Sequence, residues 1–100
     1  MRLFIYKPLL IRRVIGESML PNLKPGQIVV GWQSGQSKVG DIVVVRHDGL
    51  EKIKRVAKIV GHGVYVLGDN AGASTDSRQF GYIDQTQIIG RIIWPRTKAL

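Results

Sequence analysis

The chain has 100 residues, enough for one small domain and too few for a second core. Apolar residues make up 44% and charged residues 22%, which excludes an intrinsically disordered chain, and 15 Lys plus Arg against 7 Asp plus Glu leave a formal charge of +8 that favours anionic partners. The absence of cysteine excludes a disulfide framework, a thiolate zinc site and a cysteine nucleophile, and two histidines are too few for most all-protein metal sites.

The first segment, residues 1–13, alternates apolar residues (Leu3, Phe4, Ile5, Leu9, Leu10, Ile11) with basic ones (Arg2, Lys7, Arg12, Arg13). Lys7 and Pro8 interrupt it, and its apolar part is far shorter than the roughly 20 residues of a membrane-spanning helix. Arg12 and Arg13 follow with no small-residue cleavage site, so it is a poor secretory leader. It reads as an edge strand of the core or, alternatively, as a segment lying on anionic lipid. Beyond it, turn formers at Pro21, Pro25-Gly26, Gly40-Asp41, Asp48-Gly49, Gly61 to Gly63 and Gly68-Asp69 cut the chain into strand-length runs. Gln27 to Trp32, Asp41 to Arg46, Gly63 to Leu67 and Gln87 to Trp94 are rich in β-branched and aromatic residues and are predicted as strands. Leu50 to Val60 is ambiguous, because Leu50, Ile53, Val56, Ala57 and Val60 fit a helical stripe while Gly49 and Gly61 bound a strand-length run. Asp84 to Gln87 has room for one helical turn. The fold class is all-β with little helix, a single domain over residues 1–100 built as a compact barrel or folded-over sheet.

Four features carry chemistry. Ser18 follows Gly16-Glu17 and precedes Met19-Leu20-Pro21, where a turn can expose a hydroxyl; taken alone it is an ordinary turn serine. A Ser/His/Asp triad would need His47, at a predicted hairpin tip, or His62, between two glycines, and both read as exposed loop residues. The basic run Lys52, Lys54, Arg55, Lys58 reads as a solvated face or as phosphate contacts, but Trp32, Tyr65, Phe80, Tyr82 and Trp94 form no RNA-binding signature, so no nucleic acid is expected as a partner. The loop from Gly68-Asp69-Asn70 to Ser74-Thr75-Asp76-Ser77-Arg78 is dense in hydroxyl and carboxyl groups, with Arg78 in reach of Asp69 or Asp76.

Taken in order, Ser18-Met19-Leu20-Pro21, Lys54-Arg55-Val56 and Gly68-Asp69-Asn70 through Ser74-Thr75-Asp76-Ser77-Arg78, then Gly81 and Gly90-Arg91, resemble the sequence boxes of the type I signal peptidase family of serine proteases, which shares its logic with LexA. Within it, Ala73 to Gly81 looks most like the small proteases that mature nickel-containing superoxide dismutase by removing its leader. The resemblance implies a folded-over antiparallel sheet in which Leu50 to Val60 is a strand. It implies a Ser/Lys dyad, with Ser18 as nucleophile and Lys54 as general base. An ordinary lysine titrates at about 10.4, so Lys54 must be desolvated, with Ile53 and Val56 as suitable neighbours and Lys52, Arg55 and Lys58 pointing away into water. It further implies that Ser74 orients Lys54, that Asp76 with Arg78 and Asp69 with Asn70 brace the loop, and that the Ser18 backbone N–H lies in the oxyanion hole. Some family members carry a second donor hydroxyl two residues before the nucleophile; here that position is Gly16, and one such donor is worth about 3 kcal/mol of barrier.

The expected partner is a precursor polypeptide bound as an added strand along Ile11 to Glu17 and Glu51 to Ile53, with Ile15, Gly16, Glu17, Met19 and Ile53 in contact with substrate. No metal or organic cofactor is expected. Three alternatives accompany this reading: processing of secreted precursors at a membrane surface; self-cleavage of the LexA type, which lacks a suitable cleavage loop ahead of Ser18; and a non-catalytic basic β-domain binding nucleic acid or anionic lipid.

Overall fold

A computed structural model describes residues 8–33 and 36–97. Seven strands, β1 (Leu9–Arg13), β2 (Ile28–Trp32), β3 (Ile42–His47), β4 (Leu50–Val60), β5 (Gly63–Leu67), β6 (Ile83–Asp84) and β7 (Ile88–Trp94), form one antiparallel sheet in the order β1-β2-β7-β3-β4-β5-β6. One four-residue helix, α1 (Ser77–Phe80), and two 3-10 turns (Ala71–Ala73, Gln85–Gln87) complete the described elements. The all-β expectation holds. Leu50 to Val60 is a strand, against its helical periodicity and in line with the family resemblance. The apparent stripe is not a buried face: Val56 lies in one core cluster and Ile53 packs against the other, while Leu50 and Val60 are exposed. The turn expected over Asp84 to Gln87 is present, with Asp84 as its cap accepting from the Thr86 N–H at 2.8 Å.

β3 reads Ile-Val-Val-Val without alternation because it is covered on both faces. Val43 and Val45 join Val56, Val64, Val66 and Ile83 in one buried cluster, while Ile42 joins Val14, Met19, Leu23 and Val29 in the other. The sheet therefore folds over, with a core on each side of its central strand.

Of the first segment, Leu9–Arg13 forms the edge strand β1, and residues 1–7 lie outside the described part, so the lipid-surface reading of that stretch lies there too. Among the described residues no helix is long and apolar enough to cross a membrane. Leu10 is the buried residue of β1 and lies over two glycines, Gly31 of β2 and Gly90 of β7. A Cβ at Gly31 would stand 2.7 Å from Leu10 Cδ1, and one at Gly90 would stand 2.8 Å from the Trp32 carbonyl oxygen. The curl at this end of the sheet thus requires a position without a side chain. Gly90→Ala is expected to destabilise the fold by about 1–3 kcal/mol, measured by chemical unfolding.

Candidate active site

Ser18 lies on the turn between β1 and β2, directly before the wholly buried Met19, which anchors that turn in the second core cluster. Lys54 lies on β4 opposite Val43 of β3, in the stretch just before β5 begins to pair with β4 at Arg55. Ser18 and Lys54 line one groove of about 510 Å³, together with Ile15, Met19 and Ile53. Of the contact residues expected from the resemblance, Ile15, Met19 and Ile53 therefore lie in the groove wall. Gly16 and Glu17 do not: Gly16 takes φ 78°, turning the chain, and the Glu17 carbonyl is engaged by the Asn70 side-chain amide at 3.1 Å.

Lys54 is only 4% exposed. Strand alternation puts it on the face of Val43 and Val56, while its neighbour Ile53 packs against the other cluster and lines the same groove. Burial pushes the Lys54 amine below the ordinary lysine value; the Asp76 charge pulls the other way, and Lys52 and Arg78 add to the lowering. Its Nζ donates to Ser74 Oγ at 3.0 Å, and Ser74 Oγ donates to Asp76 Oδ2 at 2.6 Å. No hydrogen bond joins Ser18 Oγ to Lys54 Nζ among the described residues, as is common for catalytic pairs before substrate binds.

Asp76 is fully buried and accepts from four directions besides Ser74: the Gly68 N–H at 2.8 Å, the Arg78 N–H at 3.1 Å, and Arg78 Nε and Nη2 at 3.0 and 2.5 Å. Burial alone would raise its carboxyl, but the hydrogen bonds from Arg78, Gly68 and Ser74 outweigh it and hold the group well below the usual carboxylate range. Arg78 thus pairs with Asp76 and not with Asp69. Asp69 instead takes both arms of Arg55, each at 2.9 Å, and the Asn22 amide at 2.7 Å. This corrects the expectation that Arg55 stays in water. It is 6% exposed, and its third contact, to the Gly40 carbonyl at 2.7 Å, ties the loop to the start of β3. Burial raises and the Arg55 and Asn22 bonds lower the Asp69 carboxyl, with a net lowering.

The loop also holds the Ser18 backbone. Asn70 N donates to the Ser18 carbonyl at 2.8 Å, and a Cβ on Gly68 would meet Ser74 Oγ at 2.2 Å and the Ser18 carbonyl oxygen at 2.8 Å. Arg55, Gly68 and Asn22 are supporting residues whose roles the sequence reading missed; the Gly-Asp-Asn run was the available signal for Gly68. Neither histidine reaches the groove. His47 is half-buried and stacks on Phe80 with ring centroids 4.0 Å apart, unlike the exposed loop residue expected, and His62 sits exposed in the β4–β5 turn. Among the described residues no cluster of His, Cys, Asp or Glu suits a metal ion.

Comparison with known proteins puts the chain in the class of serine peptidases of the signal peptidase and LexA type. More narrowly, the chain belongs to the Peptidase S24-like family, whose model matches residues 4–93. Signal peptidase IB of Staphylococcus aureus, in strains Mu50 / ATCC 700699, N315 and MW2, is 46% identical over 43 residues. That stretch is 39% of this chain and 22% of each relative, so only a minor part of those proteins is represented.

Two outcomes follow from the site. Because burial lowers the Lys54 amine in the fold, charging it costs stability below that lowered value, and the cost fades as pH rises toward the ordinary lysine value. Lys54→Met is therefore expected to melt higher than wild type at neutral pH, with the gap narrowing in alkaline scans. Gly68→Ala should displace Ser74 from between Lys54 and Asp76 and lower the melting temperature, by about 1–3 kcal/mol of stability in equilibrium unfolding.

Proposed function

We propose that this chain is a serine endopeptidase that removes an N-terminal leader from a precursor protein, with Ser18 as nucleophile and Lys54 as general base. The observation that carries the reading is the burial of Lys54, which disfavours its ammonium, in the same groove as a turn serine. Ser18 Oγ attacks the scissile carbonyl carbon and passes its proton to Lys54 Nζ. The carbonyl oxygen, now anionic, faces the Ser18 backbone N–H, which donates no hydrogen bond within the described residues. Collapse breaks the C–N bond, and Lys54 returns the proton to the departing amine. Lys54 then takes a proton from the water that attacks the ester, and gives it back to Ser18 Oγ as the leader leaves. Ser74, held by Asp76, positions the lysine. Gly16 supplies no second oxyanion hydroxyl; there is open space where its Cβ would stand, although φ 78° disfavours a side chain there.

The specific substrate we propose is the precursor of nickel-type superoxide dismutase, on the likeness of Ala73 to Gly81 to the proteases that mature it. The identity to signal peptidase IB favours a second reading, in which secreted precursors are trimmed at a membrane surface. Co-expression with each precursor, read by intact mass of the substrate N-terminus, separates the two. Trimming of the dismutase precursor is expected from wild type and should fall at least about a thousandfold in Ser18→Ala and Lys54→Ala. Trimming of the secreted precursor alone would keep the dyad and replace the substrate. Trimming of neither, or trimming that survives Ser18→Ala, would remove the peptidase mechanism and leave a basic binding domain, whose mark is salt-dependent retention on nucleic acid or anionic lipid.

A further inference from the structure

Lys52 is a second lysine on the face of β4 that carries Lys54. The two lie opposite Val45 and Val43 of β3 in an unbroken stretch of register, so strand alternation turns both side chains the same way, about 7 Å apart at their backbones. Both line the groove, and Lys52 is half-buried, which corrects the expectation that it points away into water. Its Nζ sits over the ring of Phe80, the last residue of α1, 5.0 Å from the centre. That ring packs on the cluster of Val43 and Val45, and His47 at the end of β3 stacks on it, so Lys52 rests on a seat that the core itself fixes.

No acid cancels this charge. Glu51, the adjacent residue on β4, points to the opposite face and is taken by Arg12 of β1, Nε to Oε1 at 2.5 Å and Nη2 to Oε2 at 3.0 Å, and by Arg46 at 3.3 Å. Three strands separate β1 from β4 in the sheet, so this contact exists only because the fold-over turns their open edges face to face. Among the described residues β1 pairs only with β2, and β4 pairs with β5 only from Arg55 onward. Asp76 is matched by two side-chain hydrogen bonds from Arg78, and Asp48 lies beside His47, Oδ2 to Nε2 at 3.4 Å. Among the described residues no carboxylate forms an ion pair with Lys52, and an aromatic ring attracts an ammonium without neutralising it.

The groups that face Lys54 are Ser74 and the Asp76–Arg78 pair from the loop and α1, and Lys52 along its own strand; Arg55 faces away, bound to Asp69. The loop pair is close to balanced in charge, which leaves Lys52 as the unmatched cation. Burial is the main cause that lowers the Lys54 amine, Asp76 opposes it, and of the two cations Lys52 lowers it more than Arg78 does. Burial acts by removing water from the ammonium, whereas a neighbouring cation repels the arriving proton, so the two effects reinforce each other. We propose that Lys52 is a positioning residue that acts on Lys54 by charge: its ammonium, seated on Phe80 on the same face of β4, keeps the Lys54 amine neutral at a lower pH than burial alone would. The use of that amine as a general base rests on the endopeptidase reading; the effect on its protonation does not.

The test is an NMR titration of the full-length protein carrying carbon-13-labelled lysine, with the Lys54 Cε signal assigned by its loss in Lys54→Met. Lys52→Gln is expected to raise the Lys54 midpoint by about 0.5 to 1 pH unit, as for charges about 7 Å apart in a groove open to water. Lys52→Arg keeps the charge and should leave the midpoint close to that of wild type. A midpoint unmoved in Lys52→Gln, or moved equally by Lys52→Gln and Lys52→Arg, would overturn the inference. In trimming of the two precursors, the acid limb of the pH–rate profile is expected to move to higher pH by the same amount in Lys52→Gln, with the rates converging in alkali. Trimming with an unmoved acid limb would sink the inference while sparing the endopeptidase reading. A raised Lys54 midpoint in Lys52→Gln, with neither precursor trimmed by wild type, would do the reverse.

Discussion

The Asp76 carboxylate organises the site. A buried anion is costly unless its lone pairs are filled, and here donors arrive from three parts of one loop: Gly68 at its start, Ser74 in its middle, and Arg78 on α1. Filling one carboxylate therefore draws the whole excursion between β5 and β6 into a single conformation. The loop in turn fixes two groups it does not itself contain. Ser74 holds the amine of Lys54 from β4, and Asn70 holds the carbonyls of Glu17 and Ser18 from the β1–β2 turn.

A second carboxylate, Asp69, acts at a different place. Its two bonds to Arg55 and one to Asn22 connect the loop to β4 and to the turn that follows Ser18. Arg55 and Lys54 are adjacent on β4 and point to opposite faces, so one strand delivers a dried lysine to one side and a paired arginine to the other. The two cations differ in chemistry as well as in direction. The arginine serves as a brace through its fork of N–H donors, whereas burial pushes the lysine amine below its ordinary value, which suits the general-base role proposed for it.

Much of this was legible in the residues. The β class followed from short runs rich in Val and Ile between glycines, and three of the four strands read that way begin one residue later than expected, while Gly63–Leu67 coincides. Leu50 to Val60 misled because periodicity assumes that apolar residues mark one buried face, whereas β4 packs Ile53 and Val56 on opposite sides and leaves Leu50 and Val60 exposed. Ser18, Lys54 and Ser74 carry no sequence mark strong enough to stand alone; their order and spacing against a family supplied it, and the groove and the Lys54–Ser74 bond bring them together. Arg55 was misjudged because a basic run suggests a wet face, and nothing local reveals that a carboxylate 14 residues later will bury one member of the run. The Arg12–Glu51 bridge was equally invisible, since it depends on how far the sheet curls.

That curl rests on Leu10 and the two glycines beneath it, and it has a consequence for how the protein keeps to itself. A row of unpaired amides along a sheet margin is a template for adding foreign strands without limit. Here two such margins are turned toward one another, so each is screened by the other. Whatever strand enters between them is enclosed on both sides and cannot extend the array. Under the proposed function, the same bend that would make room for one guest chain would also limit the protein to one guest, and so separate recognition from aggregation.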